Sequence, residues 1–343
     1  MAIPLTILTG FLGAGKTTLL NRILNAEHGQ RIAVLVNDFG SINIDSQLVV
    51  ETGADEMVNL SNGCICCTIQ GDLLAALDKL VRRDDPPDYI VVEASGVADP
   101  IDIGLTLRAA PSVRIDSIIT VIDAEQLYTL EHEYAVLAMN QVGMADIVVI
   151  NKVDLVQPDQ LERVRAYVRR IIKDARILEA VQCQVPIELL LNVGQYDDQR
   201  ILSASSQDVH VHEVGEAGHH HHHDHSLVFD TWSWVSMEPV SLKELRRVVE
   251  ALPASIYRAK GFFYLADEPH QRAILQIVGR RVNLEMGDPW GDTSPFCQFV
   301  LIGSHGGVDQ GLLQERFDGT LARNAPKSEV ERLGRKVLSW LRG

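Results

Sequence analysis

Apolar residues in the first two hundred positions fall into short, β-branched runs separated by longer stretches with helical spacing. The runs at residues 5–9, 31–37, 89–93, 117–123 and 146–151 read as strands, with helices predicted over 17–26, 72–82 and 159–173. Strands that are apolar throughout, instead of alternating, have both faces covered, as in a parallel sheet wrapped by helices. The expected fold class is therefore α/β, a doubly wound and mostly parallel sheet. The periodicity stops between residues 203 and 226, where Ser, Gly, Asp, Glu and His take over as in a solvated linker. Strand-like runs resume at 228–235, 261–265, 274–278 and 298–302, with helices predicted over 241–251 and 327–341. The organisation predicted is a first domain over residues 1–202, a His-rich interdomain loop over 203–226 and a smaller α+β domain over 227–343, without internal repeats.

Composition narrows the function. The chain has 343 residues, 46% hydrophobic and 22% charged, which suffices for two packed cores. Its 46 acidic against 31 basic side chains leave a formal charge of −15, which repels phosphate backbones and anionic lipid, so neither nucleic acid nor a membrane surface is an expected partner. No run of eighteen apolar residues occurs, and the apolar start at residues 2–12 lacks a basic leader and passes directly into a glycine-rich loop. The chain reads as soluble and unprocessed. Five cysteines do not make a disulfide scaffold, and three of them lie within four residues, which suggests a reducing compartment, the cytoplasm.

The loop after the first strand carries the pattern G-x-x-x-x-G-K-[ST] from Gly10 through Gly13, Ala14, Gly15 and Lys16 to Thr17, with Thr18 following as the helix opens. In such a loop backbone N–H groups point at phosphate oxygens, a lysine faces the β- and γ-phosphates, and a hydroxyl is offered to Mg²⁺. Lys16 and Thr17 are placed for those tasks. The apolar run 89–93 ends in Glu93, a second candidate group for Mg²⁺, and Gly96 three residues on allows a backbone N–H to approach a γ-phosphate. After the strand 146–151 comes Asn151-Lys152-Val153-Asp154, where Asp154 is expected to accept hydrogen bonds from guanine N1–H and its 2-amino group. Adenine lacks that donor pair, so GTP is the expected nucleotide. Lys16 would stabilise charge on the phosphates during hydrolysis, and Asp38, or else Asp45, would orient the attacking water.

Two clusters of softer donors remain. Cys64, Cys66 and Cys67 form a thiol set suited to Zn²⁺ or Cu(I), with a coordination position left for another ligand. Structural burial and a redox-active pair are the other readings. Eight of the twelve histidines lie at His210, His212, His219, His220, His221, His222, His223 and His225. Such a run binds Zn²⁺, Ni²⁺ or Co²⁺ adaptably and loses the metal near the imidazole pKa, since ligation needs the neutral ring. A tag or a solvated hinge would show the same composition. Cys183, Cys297, His28, His132, His270 and His305 are scattered and are expected in packing roles.

Taken together, residues 10–18, the Gly-Cys-Ile-Cys-Cys run at 63–67, residues 93–96, residues 151–154 and the His-rich segment resemble the CobW-type GTPases. That family is related to the urease and hydrogenase accessory GTPases and includes proposed zinc and cobalt metallochaperones. Residues 258–262 and 299–303 resemble its C-terminal domain, so the likeness spans nearly the whole chain. It implies GTP hydrolysis, with GTP/GDP, Mg²⁺ and Zn²⁺ or Co²⁺ as bound species, coupled to metal delivery to a client metalloprotein, and it leaves room for a homodimer. The segment Asn37-Asp38-Phe39-Gly40-Ser41 departs from the family's Asn-Glu-Phe-Gly-Glu: Asp38 stands for the first Glu and Ser41 for the second. A metal buffer centred on the His loop, and a GTP-driven activator using thiol exchange, are the alternative functions.

Overall fold

The computed structural model describes residues 2–26, 29–36, 56–59, 68–98, 100–130, 132–191, 229–291 and 293–324. Asp38, Asp45, Cys64, Cys66, Cys67, the histidines from His210 to His225 and the helix predicted over 327–341 lie outside them. The chain divides into two compact units, Met1–Val193 with Ile277–Val282, and Gly194–Gln276 with Asn283–Gly343.

The first unit begins with β1 (Ile3–Gly10), α1 (Lys16–Asn25), β2 (Ile32–Val36), β3 (Glu56–Asn59) and α2 (Thr68–Val81). It continues through β4 (Tyr89–Glu93), α3 (Pro100–Leu107), β5 (Val113–Asp123), α4 (His132–Gly143), β6 (Ile147–Asn151), α5 (Pro158–Ile171), β7 (Ile177–Ala180) and α6 (Ile187–Leu190). The strands make one seven-stranded sheet in the order β3-β2-β4-β1-β5-β6-β7, every pair parallel. β2 and β4 are buried along their whole length, which is why their apolar runs do not alternate.

Connections that move across the sheet in opposite directions place right-handed crossovers on opposite faces. The β1-to-β2 step runs one way and the steps from β3 onward run the other, so α1 covers one face and α2 to α5 cover the second. Side-chain alternation agrees. Leu5, Ile7, Leu35, Ile90, Val92 and Ile118 pack with Leu73, Leu77 and Leu80 of α2 and Ile103 and Leu107 of α3. Further along, Ile122, Val148 and Ile150 pack with Val142 of α4 and Val164 and Val168 of α5. Amphipathic α5 opens on Pro158 at its first turn, where a missing N–H costs nothing, and turns its Arg and Glu side chains outward.

The second unit holds β8 (Phe229–Ser236), α7 (Leu242–Glu250), β9 (Ile256–Phe263), β10 (Gln271–Val278), β11 (Arg281–Pro289), β12 (Cys297–Ser304) and α8 (Gln310–Asp318). Its sheet has the order β11-β10-β9-β12-β8, with β12 antiparallel to both β9 and β8. Only Gly279 and Arg280 link β10 to β11, a connection that admits an antiparallel hairpin and no crossover. The core is aromatic: Phe317 of α8 lies 4.8 Å, centroid to centroid, from Phe299 and 5.4 and 5.6 Å from Trp232 and Trp234. Asp309 caps α8 by accepting the Leu312 N–H at 3.0 Å. No helix among the described residues is long and apolar enough to cross a membrane.

Because Phe317 is fully buried among three rings, Phe317→Ala removes a large apolar volume that the neighbouring strands cannot refill. The expected loss is about 3–5 kcal/mol, read as a lower urea midpoint followed by tryptophan fluorescence.

Candidate functional site: the carboxyl edge of the parallel sheet

Parallel strands end together, and a loop after each of them meets its neighbours at one edge. Register brings Glu93 beside Leu8 of β1, Gly10 beside Val121 of β5, and Asp123 beside Asn151 of β6. Groups from four separate segments, three of them predicted from the sequence and the fourth the end of β5, therefore converge although they are far apart in the chain.

On the phosphate side, Gly15 precedes α1 with φ +112°, a left-handed conformation that L side chains rarely adopt. A Cβ there would also stand 2.5 Å from the Asn151 amide nitrogen and 3.0 Å from the Cys183 sulfur, so both conformation and space demand glycine. Lys16 is buried and folds back to donate to the Phe11 carbonyl at 3.3 Å. Thr17 Oγ1 donates to Glu93 Oε1 at 3.1 Å across the gap between α1 and β4. Glu93 is 2% exposed, and a buried carboxylate beside a hydroxyl is an all-oxygen donor pair of the kind that hard divalent cations take. Thr17 and Glu93 thus fit Mg²⁺. Gly96 approaches the loop closely, since a Cβ on it would lie 2.6 Å from Leu12 Cδ2 and 2.7 Å from the Leu12 backbone nitrogen.

On the opposite side the buried Asn151 works in two directions. Its Nδ2 donates to the Ala14 carbonyl at 2.9 Å, and its Oδ1 accepts the Cys183 backbone N–H at 2.8 Å. Lys152 sits at φ 62° and turns its ammonium onto Asp123 Oδ2 at 2.6 Å, while Asp123 Oδ1 accepts the N–H groups of Glu125 and Gln126 at 2.9 and 3.2 Å. Asp154 is exposed in the short 3-10 turn Val153–Leu155, its carboxylate open to a ligand.

Two participants escaped sequence reasoning. Asp123 ends β5 without any motif around it. Cys183 was expected to be packing, and it is buried, but it packs within the site: its Sγ donates to the Gly15 carbonyl at 3.3 Å, and Gln182 and Cys183 both have left-handed φ, 49° and 56°. The available signal was positional, a polar break directly after the last strand of the sheet. Burial pushes the Cys183 thiol from 9.0 up to about 12, so it stays protonated near neutrality. Among the described residues no group of three or more His, Cys, Asp or Glu side chains is arranged to hold a metal ion.

Residues 4–179 match the CobW/HypB/UreG nucleotide-binding domain, which covers half of the chain, and residues 229–321 match the C-terminal domain of the cobalamin synthesis protein CobW. The chain belongs to the CobW/HypB/UreG family. The relatives include a zinc chaperone CobW from Sinorhizobium sp, 30% identical over 88% of this chain and 93% of its own length. Zinc chaperone YjiA from Escherichia coli (strain K12) is 31% identical over 88% of this chain and 94% of its own. The crystal structure of Zn(II)-bound YjiA GTPase from E. coli aligns with 93% of this chain and 99% of its own at 26% identity, with a TM-score of 0.44. Within the family's nucleotide-binding domain, Lys16, Thr17, Glu93 and Asn151 are tied to one another or to the loop and Lys152 to Asp123, whereas Asp154 stays open to solvent.

The raised Cys183 thiol sets a pH dependence. A folded-state value above the unfolded one stabilises the native form below pH 9, and that contribution disappears as pH rises toward 12. Cys297 in the second unit is pushed up to about 12 by burial in the same way. Urea midpoints measured from pH 8 upward are expected to fall for the wild type and to fall less steeply for a Cys183→Ala, Cys297→Ala double variant.

Proposed function

We propose that this chain is a GTP-hydrolysing metallochaperone that holds a transition metal, zinc foremost, on Cys64, Cys66 and Cys67 and passes it to a client metalloprotein according to nucleotide state. The observation that carries the nucleotide half is the meeting of phosphate-side and base-side groups on one sheet edge, joined through Asn151. The metal half is supported by the names of the zinc-chaperone relatives and by the thiol run between the phosphate loop and Glu93 in the sequence.

In this reading the backbone of Gly10, Gly13, Ala14, Gly15 and Thr18 and the Lys16 ammonium hold the phosphates. Bound Mg²⁺, held by Thr17 and Glu93, supplies charge neutralisation at the β- and γ-phosphate oxygens. Gly96 offers a backbone N–H to the γ-phosphate, and Asp38 orients the hydrolytic water. Asn151 fixes the base-side wall, the Lys152 stem lies along the base, and Asp154 reads guanine. The three thiolates form a soft set with one position open for a client's ligand, and the histidines from His210 to His225 concentrate metal nearby. Free thiols at this density require a reducing compartment, so the protein acts in the cytoplasm.

Base reading is tested at Asp154. Xanthine carries an oxo group where guanine carries the 2-amino group, so Asp154→Asn exchanges an acceptor for the donor that xanthine needs. GTP affinity is expected to fall about 100-fold and affinity for xanthosine triphosphate to rise, measured by calorimetry with both nucleotides. Unchanged GTP affinity would remove Asp154 from the site.

Coupling is tested by zinc affinity with a GTP analogue and with GDP, since a metal that favours one nucleotide state must be bound more tightly in that state. The two affinities are expected to differ in the wild type and to converge at a much weaker value once Cys64, Cys66 and Cys67 are all alanine. Equal affinities in the wild type contradict nucleotide-controlled delivery. Loss of most metal capacity on deleting residues 210–225, with the alanine variant unaffected, selects the His-loop buffer instead.

A further inference from the structure

Gln141 lies on α4 and is 1% exposed, among the buried side chains Ala138, Val142 and Ala145. A primary amide in such surroundings is costly unless its donors are met. Both are. Nε2 donates to the carbonyl of Gly96 and to the carbonyl of Ala98, each at 3.2 Å. The backbone carbonyl of Gln141 in turn accepts the Thr120 hydroxyl at 2.8 Å, which fixes this turn of α4 against β5. The same helix also reaches the phosphate loop, where Tyr134 meets Phe11 edge-on with centroids 5.2 Å apart.

Gly96 is therefore confined on two sides. Leu12 of the phosphate loop fills the space that a side chain on it would need, and the Gln141 amide grips its carbonyl. The peptide unit is planar, so anchoring that oxygen fixes the plane on the C-terminal side of Gly96, while its own N–H lies in the preceding plane, whose Ser95 carbonyl accepts the Ala98 N–H at 2.9 Å. Glycine loses more conformational entropy on ordering than any other residue, and an external anchor is the means of holding it in one geometry.

We propose that Gln141 is a positioning residue for the γ-phosphate: its side-chain amide holds the 96–98 segment in the conformation that meets the third phosphate and links that segment to α4. The inference rests on the GTPase reading above, in which Gly96 contacts the γ-phosphate. It assigns no contact between Gln141 and the nucleotide. GDP affinity is accordingly indifferent to Gln141, whereas GTP affinity and turnover depend on it.

The test uses the full chain with Gln141→Met, which keeps the unbranched shape without the donors, and Gln141→Glu. Affinities for GDP and a non-hydrolysable GTP analogue are measured together with kcat and KM for GTP between pH 6 and 8.5. Gln141→Met is expected to keep GDP affinity within about twofold of wild type and to lower both kcat and the analogue-to-GDP affinity ratio about tenfold. Gln141→Glu should match it at pH 8.5 and recover toward wild type at pH 6, because a protonated carboxyl donates one hydrogen bond and a carboxylate none. Ser117→Ala, which removes buried hydroxyl contacts to Thr6 and the Leu190 carbonyl away from Gln141, should lower the melting temperature and leave kcat and the affinity ratio unchanged. A Gln141→Met protein that melts lower but keeps wild-type kcat and affinity ratio overturns the inference and makes the residue a packing element. If Gln141→Met does not fold, a flat pH response of Gln141→Glu relative to wild type overturns it equally. Should the wild type neither turn over GTP nor distinguish the analogue from GDP, the GTPase reading fails first and the inference falls with it.

Discussion

One buried carboxamide holds the edge of the large sheet together. Asn151 donates to Ala14 in the phosphate loop and accepts from Cys183 after β7, so a single side chain fixes the spacing between the loop at the centre of the sheet and the turn at its margin. Strand pairing alone does not do this, because β-ladders stop where the loops begin. The carboxamide has one acceptor oxygen and one donor nitrogen at a fixed separation, which couples the two loops in a defined geometry. Its cost of burial is met only if both partners are present, so each loop's conformation depends on the other. Gly15 completes the arrangement by omission: any side chain there would occupy the volume that the Asn151 amide and the Cys183 sulfur fill.

The two ends of the site are built with different electrostatics. At the phosphate end, Glu93 is buried beside the Thr17 hydroxyl, an oxygen pair of the kind that divalent cations take. At the base end the Lys152 charge is balanced within the fold by Asp123, which is held in turn by two backbone N–H groups. A lysine compensated in this way is a poor general attractor of anions and a well-placed wall for a flat aromatic ring, its stem being apolar and its head fixed. Asp154 is exposed in the 3-10 turn beyond Lys152, the position from which it reads guanine in the function proposed above. The difference lies in burial and pairing, not in residue type, since Asp123 is buried and paired while Asp154 is exposed.

Much of the large sheet was legible because strands buried on both faces produce unbroken apolar runs, and the phosphate loop and residues 151–154 because their chemistry requires fixed spacing. What was missed was short or carried by few buried positions. β3 has four residues and α3 eight, lengths at which no period can be distinguished. α4 shows only sparse buried positions, and the buried Gln141 reads as an outward polar residue in any helical pattern. In the second unit β9 begins at Ile256, earlier than the apolar run suggests, because Arg258 is buried within the strand and breaks the pattern. β11 was invisible because Leu284 is its sole fully buried side chain, and α8 because it relies on Leu313 and Phe317 alone. Asp123 and Cys183 show the same limit at the site: each acts through a partner distant in sequence, and pairing of that kind has no local signature.

A chain of charge −15 that is read as binding a triphosphate presents an apparent contradiction, which the length scale of screening resolves. At physiological salt, charges farther apart than about 8 Å are largely hidden from one another. The acidic surface therefore acts on extended polyanions, which must approach many carboxylates at once, and hardly at all on three phosphates enclosed by a loop. There the local groups decide: the amino end of α1, its converging N–H groups and the buried Lys16 ammonium, all in a medium less polarisable than water. In the function proposed above, the same separation makes the net charge compatible with a bound nucleotide, and selectivity among nucleotides becomes a question of hydrogen-bond pairing at the base end, where the Lys152 charge is already balanced.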